Sequence, residues 1–171
     1  MSVIREEGPQ DAPAIRAVNE QAFGQPAEAD LVDALRRSCA ERLSLVAEED
    51  DVVVGHILFT PAVVESAGRQ VVGMGLAPMA VLPERQRQGI GSALVERGLS
   101  ALRERRCPFV IVLGHPGYYP RFEFERASAR RLASQWEGVP DEAFMVLILD
   151  SQAMAGMYGA ARYRPEFDAA M

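Results

Sequence analysis

Apolar and polar positions change period several times along the chain. Val3–Arg5 is a short apolar opening followed by Gly8-Pro9, which reads as a strand and a break. Asp11 can then cap a helix, with Pro13 tolerated in its first turn. Ile15, Val18 and Ala22 recur at helical spacing until Gly24 and Pro26. A second helix is predicted from about Ala27 to Ser38, with Leu31, Val32 and Leu35 on one side. The period then shortens. Leu43–Glu48, Val52–Phe59 and Val71–Val81 read as strands, with turns at Asp50-Asp51 and Ser66-Ala67-Gly68. Connections this short cannot cross over, so the three strands form an antiparallel meander. Gly73, Gly75 and Pro78 interrupt the third strand, and a proline there marks a bulge or a lost ladder bond.

From Gly89 to about Arg105 the pattern is again helical. Ile90, Leu94, Val95, Gly98, Leu99, Ala101 and Leu102 share one side, and Pro108 stops the run. Phe109–Leu113 is solidly apolar, as in a strand buried on both faces. Strand, helix, strand in this order implies a parallel pair. Ala143–Leu149 is the last strong strand, and Asp150–Met171 is irregular. The fold class is α/β, a mixed sheet with helices on both faces.

Composition narrows this reading. The 171 residues, 49% hydrophobic and 25% charged, suit one domain spanning 1–171, with 150–171 as an extension packed on it. Tyr158, Tyr163 and Phe167 are too many aromatics for a solvated tail. It is expected to be ordered, and either to cover part of the acceptor side of a site or to meet a second subunit of a homodimer. The formal charge of -6 argues against a nucleic-acid partner. Two cysteines, Cys39 and Cys107, make no disulfide framework, and neither a signal peptide nor a membrane span is evident. A cytoplasmic protein without a membrane partner is expected.

The most informative segment is Met79-Ala80-Val81-Leu82-Pro83-Glu84-Arg85-Gln86-Arg87-Gln88-Gly89-Ile90-Gly91-Ser92. It joins an apolar strand to an amphipathic helix. A helix N-terminus offers N–H donors and the positive end of the dipole, and glycines let a ligand approach the backbone. Such a junction is suited to phosphate groups, with Arg85 and Arg87 strengthening its edge. It is not a Walker A loop, because no Gly-Lys-Ser/Thr is present. It is not a dinucleotide fingerprint, because Leu94 stands where the third small residue belongs.

What remains, Gln86-x-x-Gly89-x-Gly91, resembles the pyrophosphate-binding signature of the GNAT superfamily of acyl-CoA N-acyltransferases. A second match follows the buried strand. In Gly114-His115-Pro116-Gly117-Tyr118-Tyr119-Pro120-Arg121-Phe122-Glu123-Phe124, Tyr119 and Phe124 fall on the family's Tyr-x-x-x-Gly-Phe motif. From Gly75 to the Phe-Met-Val-Leu strand the chain is similar to the YhbS-like branch of predicted acetyltransferases.

The resemblance implies a GNAT-like, mostly antiparallel sheet with a splayed strand pair that holds acyl-CoA. It implies acetyl-CoA as co-substrate, no metal, and a small-molecule or peptide amine as acceptor, acylated by direct attack. Met79, Ala80 and Val81 would carry the pantetheine arm, and the N–H of Ala80 or Val81 would face the thioester oxygen. Gln86, Arg87, Gln88, Gly89, Ile90, Gly91 and Ser92 would hold the pyrophosphate. Tyr119 would be the catalytic acid that protonates the leaving thiolate, with Tyr118 its fallback. The base stays open: His115, just after the buried strand, reads as a turn histidine, His56 as a core or rim residue, and Glu20 and Glu28 as solvated helix carboxylates. Cys107 reads as a small structural hydrophobe. Glu123 stands where the family has glycine, so either the turn is reshaped or a left-handed strain of about 1–2 kcal/mol is borne. The alternative from another class is a non-catalytic acyl-CoA-binding module.

Overall fold

The computed structural model describes residues 2–171. In chain order the strands are β1 (Val3–Glu6), β2 (Leu43–Glu49), β3 (Val52–Ser66), β4 (Arg69–Val81), β5 (Phe109–Leu113), β6 (Glu125–Arg126), β7 (Leu132–Ser134), β8 (Phe144–Ile148) and β9 (Gly159–Arg162). The helices are α1 (Ala12–Phe23), α2 (Ala27–Ser38), α3 (Ile90–Glu104) and the single turn α4 (Ser151–Met154). The strands are hydrogen-bonded in the order β1-β2-β3-β4-β5-β8-β6, and β9 joins β3 and β7. The β4–β5 and β7–β9 pairs are parallel, whereas β1–β2, β2–β3, β3–β9, β5–β8 and β6–β8 are antiparallel. The predicted mixed α/β sheet is therefore observed.

The chain divides into two compact units. The first comprises Met1–Phe59, Ala77–Ser100 and Pro165–Met171. Its core gathers Ile15, Val18, Leu35, Val46, Ile57, Leu94 and Val95, all nearly inaccessible. Here α3 lies close on β3: a Cβ at Gly98 would fall within the Phe59 ring. That close approach fixes the helix whose N-terminus the sequence singles out. Asp11 precedes α1, but its side chain does not cap the helix, contrary to expectation. Its carboxylate accepts from Gly8 N–H at 2.6 Å and from the Arg5 guanidinium instead.

A buried polar chain runs through this unit. The Ser44 hydroxyl donates to Glu7 at 2.6 Å and lies 2.9 Å from His56 Nε2. With its one proton given to Glu7, Ser44 can only accept from His56, so Nε2 carries the ring proton. The bare Nδ1 then accepts from Asn19 Nδ2, 3.3 Å away. Arg36 closes the other end on Glu7 at 2.7 Å. The bonds from Arg36 and Ser44 overcome the upward push of burial on Glu7 and hold its carboxyl below its ordinary range.

The second unit comprises Thr60–Leu76 and Ala101–Arg164. β5 is its spine: Phe109, Val110, Ile111 and Val112 are buried, and β5 pairs on both sides, with β4 and β8. Residues 150–171 are ordered, as expected of their aromatics: β9 pairs with β3 through Val63↔Arg162 and Val64↔Ala161. Tyr163 and Phe167 are buried, and Tyr158 is half exposed beneath Arg131.

The histidine in the polar chain makes stability depend on pH. Burial pushes the His56 pKa from 6.5 down to about 4, with Glu7 opposing and Arg36 assisting. Between those values the unfolded chain binds a proton that the folded chain does not, so stability present at pH 7 is lost as pH falls toward 4. Denaturant melts should show a loss of about 2 kcal/mol between pH 7 and pH 5. His56→Gln should flatten that slope, and an equal slope in the variant would contradict the assignment.

Candidate functional site

The passage from β4 into α3 lies within the first unit and is built from contiguous chain. Leu82 leaves the strand with its N–H on Val54 O of β3, at 2.9 Å. A 3-10 turn, Pro83–Arg85, follows, closed by Arg85 N–H on Leu82 O at 2.8 Å. The Gln86 side-chain amide reaches back to Val81 O at 3.0 Å, and that of Gln88 to Glu84 O at 3.3 Å. The two amides thus brace the loop from inside, a role that residue type alone does not reveal. Arg85 was expected at the phosphate edge, but Glu49 of β2 holds its guanidinium at 3.0 Å. Arg87 is exposed and left-handed, at φ 63°.

Gly89 has φ 86°, which disfavours any side chain, and the space where a Cβ would stand is empty. Its carbonyl accepts from Ala93 N–H at 3.0 Å and so opens the ladder of α3. The N–H groups of Ile90 and Gly91 come before that ladder and make no intrahelical bond. Donors, dipole and open space therefore meet at Gly89–Gly91, the geometry that an anionic phosphate group fits. Met79, Ala80, Val81, Gln86, Arg87, Gln88, Gly89, Ile90, Gly91 and Ser92 all belong to this one segment. Among the described residues no cluster of three or more His, Cys, Asp or Glu could hold a metal ion. No helix among them is long and apolar enough to cross a membrane.

The strand that feeds the loop changes phase. Gly114 N–H bonds to Ala143 O at 2.9 Å, and Leu113 pairs with Phe144 of β8. Alternation then turns Val112 toward β8 and Ile111 and Leu113 toward β4, where they flank the pair Leu76↔Val112. Leu76 thus faces β5. Leu82, six residues on, faces β3. An even step should preserve the side, so the strand shifts register between them, across Pro78, where the sequence predicts a bulge or a lost bond. The registered pairing with β5 is Met74↔Val110, Gly75↔Ile111 and Leu76↔Val112.

Tyr119 lies in the second unit, at the start of the 3-10 turn Tyr119–Phe122, and is 7% exposed. Its ring meets Tyr118 and Phe124 edge-on, at 5.1 and 5.7 Å between centroids. It also fills the place a Cβ on Gly114 would take. Burial, with Tyr118 adding to it, raises the phenol well above the usual tyrosine range. The turn ends at Glu123, which is left-handed at φ 75°. The turn keeps the form that glycine would take, and the glutamate bears the strain. Tyr118 is half buried beneath Arg121, 4.4 Å from guanidinium to ring.

The remaining candidates are structural in their contacts. His115 is exposed, and its carbonyl anchors the turn by accepting from Tyr118 N–H at 3.0 Å. His56 is fully buried in the polar chain. Glu20 lies 3.6 Å from Arg16, and Glu28 accepts from Gln25. The Cys107 thiol donates to Phe109 O at 3.2 Å, and burial raises its pKa, the reverse of what a nucleophile needs. Sequence reasoning did not single out Tyr163 for the site. Its hydroxyl donates to Leu76 O at 3.1 Å, on the last registered rung between β4 and β5.

Residues 3–127 match the family model of the acetyltransferase (GNAT) domain. The chain is 39% identical over 167 residues to the uncharacterized N-acetyltransferase YhbS of Escherichia coli strain K12, covering 97% of this chain and 98% of that one. It is 40% identical over 149 residues to the uncharacterized N-acetyltransferase YjhQ of the same strain, covering 84% and 82%. The structure is similar to that of Escherichia coli YhbS in complex with CoA, with a TM-score of 0.88 and 36% identity over 98% of this chain and 92% of that one. It is also similar to a GNAT family acetyltransferase from Brucella melitensis in complex with acetyl-CoA, with a TM-score of 0.80 and 37% identity over 98% and 99%. The glycine-opened helix and the strand that shifts phase before it are thus found in a chain that belongs to the GNAT family of acetyltransferases.

Proposed function

We propose that this protein transfers an acetyl group from acetyl-CoA to a primary amine by direct attack. The observation that carries the reading is the Gly89–Gly91 junction, where helix donors, a left-handed glycine and open space coincide. Two similar proteins bind CoA and acetyl-CoA in their solved structures, which supports the same ligand here. The thioester supplies an activated acyl carbon and a leaving thiolate.

The pyrophosphate is taken by the N–H groups of Ile90 and Gly91, with Arg87 at the edge and Gln86 and Gln88 bracing the loop. The pantetheine arm follows the backbone of Met79–Val81. Leu82 N–H is directed to β3, so Val81 points the other way. Its N–H, rather than that of Ala80, is the donor for the developing oxyanion. Holding amine and thioester together supplies the entropic part of the rate. The amine has a lysine-like pKa of about 10.4 and must lose a proton before attack. The departing thiolate resembles cysteine, at about 8.5. Tyr119 is the donor to the leaving sulfur: burial keeps its phenol protonated and too weakly acidic for full transfer to such a thiolate, so it stabilises the forming charge through an O–H hydrogen bond while solvent supplies the proton.

Gly89→Glu and Gly91→Asp set a carboxylate where the pyrophosphate binds. Calorimetry should show CoA affinity at least tenfold weaker, about 1.4 kcal/mol. Unchanged affinity in a folded variant would overturn the loop assignment.

Tyr119→Phe keeps the ring against Gly114 and removes the hydroxyl. Because a donor to sulfur acts in the transition state, kcat should fall by roughly 10²-fold while CoA affinity stays within a few fold. Tyr118→Phe should be much milder. A protein that only binds acyl-CoA would show affinity but no CoA release with any amine of a panel. Full kcat in Tyr119→Phe with a verified acceptor would move the donor elsewhere.

A further inference from the structure

Tyr163 follows β9 and is 5% exposed. Its ring lies over Gly75, where a Cβ would collide with it, and stacks on Trp136 at 5.6 Å between centroids and 27° between planes. Its backbone N–H donates to Gln135 Oε1. Ring and backbone are thus fixed by neighbours of its own unit, and the hydroxyl is delivered to one place.

That place is the last rung between β4 and β5. The hydroxyl proton is directed to Leu76 O at 3.1 Å and more weakly to Ile111 O at 3.4 Å. The backbone of Leu113 lies beside the phenol oxygen and slightly favours its ionised form, against burial. Leu76 pairs with Val112, and in a parallel ladder such a pair is joined through the residues flanking the partner, here Ile111 and Leu113. Two of the four backbone groups that make this rung, Leu76 O and Ile111 O, therefore also face the phenol hydroxyl. The next bond of this ladder would need an N–H from residue 78, and Pro78 has none, so the rung at Leu76 is the last that the ladder can make here.

We infer that Tyr163 is a positioning residue for the cofactor: its hydroxyl clamps the last registered rung of the β4–β5 ladder at Leu76 and so fixes the point from which β4 runs on into Met79–Val81. This rests on the reading of Met79–Val81 as the strand that carries coenzyme A. It gives the terminal segment a part in the site without requiring it to touch the acceptor. Burial and the neighbouring Tyr119 hold the Tyr163 phenol protonated, so the proton on Leu76 O stays in place across the working pH range.

Tyr163→Phe keeps the ring between Gly75 and Trp136 and deletes only the oxygen. Calorimetry with CoA should show at least a tenfold loss of affinity, with a melting temperature within a few degrees of wild type. Gly75→Ala pushes the same ring away from outside the terminal segment and should give a similar loss. Phe167→Leu trims a buried residue of that segment that has no part in the rung, and its affinity should stay within twofold. Without ligand, amide exchange at Leu113 should change at least tenfold in Tyr163→Phe while Val110 stays within twofold. Wild-type affinity in both Tyr163→Phe and Gly75→Ala, unaltered exchange at Leu113, or an equal loss in Phe167→Leu would each overturn the inference. If the wild-type protein itself binds no CoA, the functional reading falls and takes the positioning role with it. If only the variants behave as wild type, the functional reading stands and Tyr163 alone loses its role.

Discussion

Each backbone N–H of β4 can be given to one partner, and the structure depends on which neighbour takes it. A central strand with complete ladders on both sides has nothing left for a ligand. β4 changes phase along its length. Up to Leu76 its groups facing β5 are engaged in a parallel ladder, and by Leu82 the same parity of residues faces β3. The shift falls across Pro78, a residue without an N–H to lose. The strand remains anchored by its neighbours at either end of the irregularity, so the departure from regular pairing does not loosen the sheet.

The loop after β4 meets a related requirement. A ligand approaching a helix N-terminus needs donors in place and no side chain in the way. Gln86 and Gln88 satisfy the first need indirectly, because their amides tie the loop to Val81 and Glu84 and hold α3 at a fixed distance from the strand. Gly89 satisfies the second with its left-handed backbone. The contact of Gly98 with Phe59 then fixes the helix itself. Charge is less prominent than the sequence suggests, since Arg85 is held by Glu49.

Much of this was legible in the sequence because its causes are local. Phe109–Leu113 and Ala27–Ser38 match the predicted β5 and α2, since apolar period and flanking breakers decide both. The loop between β4 and α3 was legible because glycine spacing and helix start lie within a few residues of each other. β3 runs to Ser66, well beyond the predicted Phe59. Pro61 sits where the strand's partner changes from β2, paired as far as Leu43↔Phe59, to β9, paired from Val63. β7 and β9 have no strand signature of their own. Leu132-Ala133-Ser134 and Gly159-Ala160-Ala161-Arg162 are strands because distant partners pair with them, and no local pattern announces that. Asp11 misled for the same reason: a capping residue type was claimed by Arg5, a partner on another element.

Tyr163 shows where local reading ends. The sequence marks it as one of three tail aromatics that solvent would not tolerate, and the fold then decides which of them matters. Tyr158 is left at the surface, Phe167 is buried in one unit, and Tyr163 reaches the β4–β5 rung in the other. Its counterpart is Gly75, whose missing Cβ makes room for the ring. The sequence reading takes that glycine only as a strand interruption. A glycine in one strand and an aromatic 88 residues later form a single device, with each explained by the other and neither by its neighbours in the chain. The backbone of β4 at Leu76 is thus held partly from outside the segment that carries the family signature. A signature match locates the loop before α3, whereas the rung that precedes it carries a bond from what the rest of the chain places against Leu76.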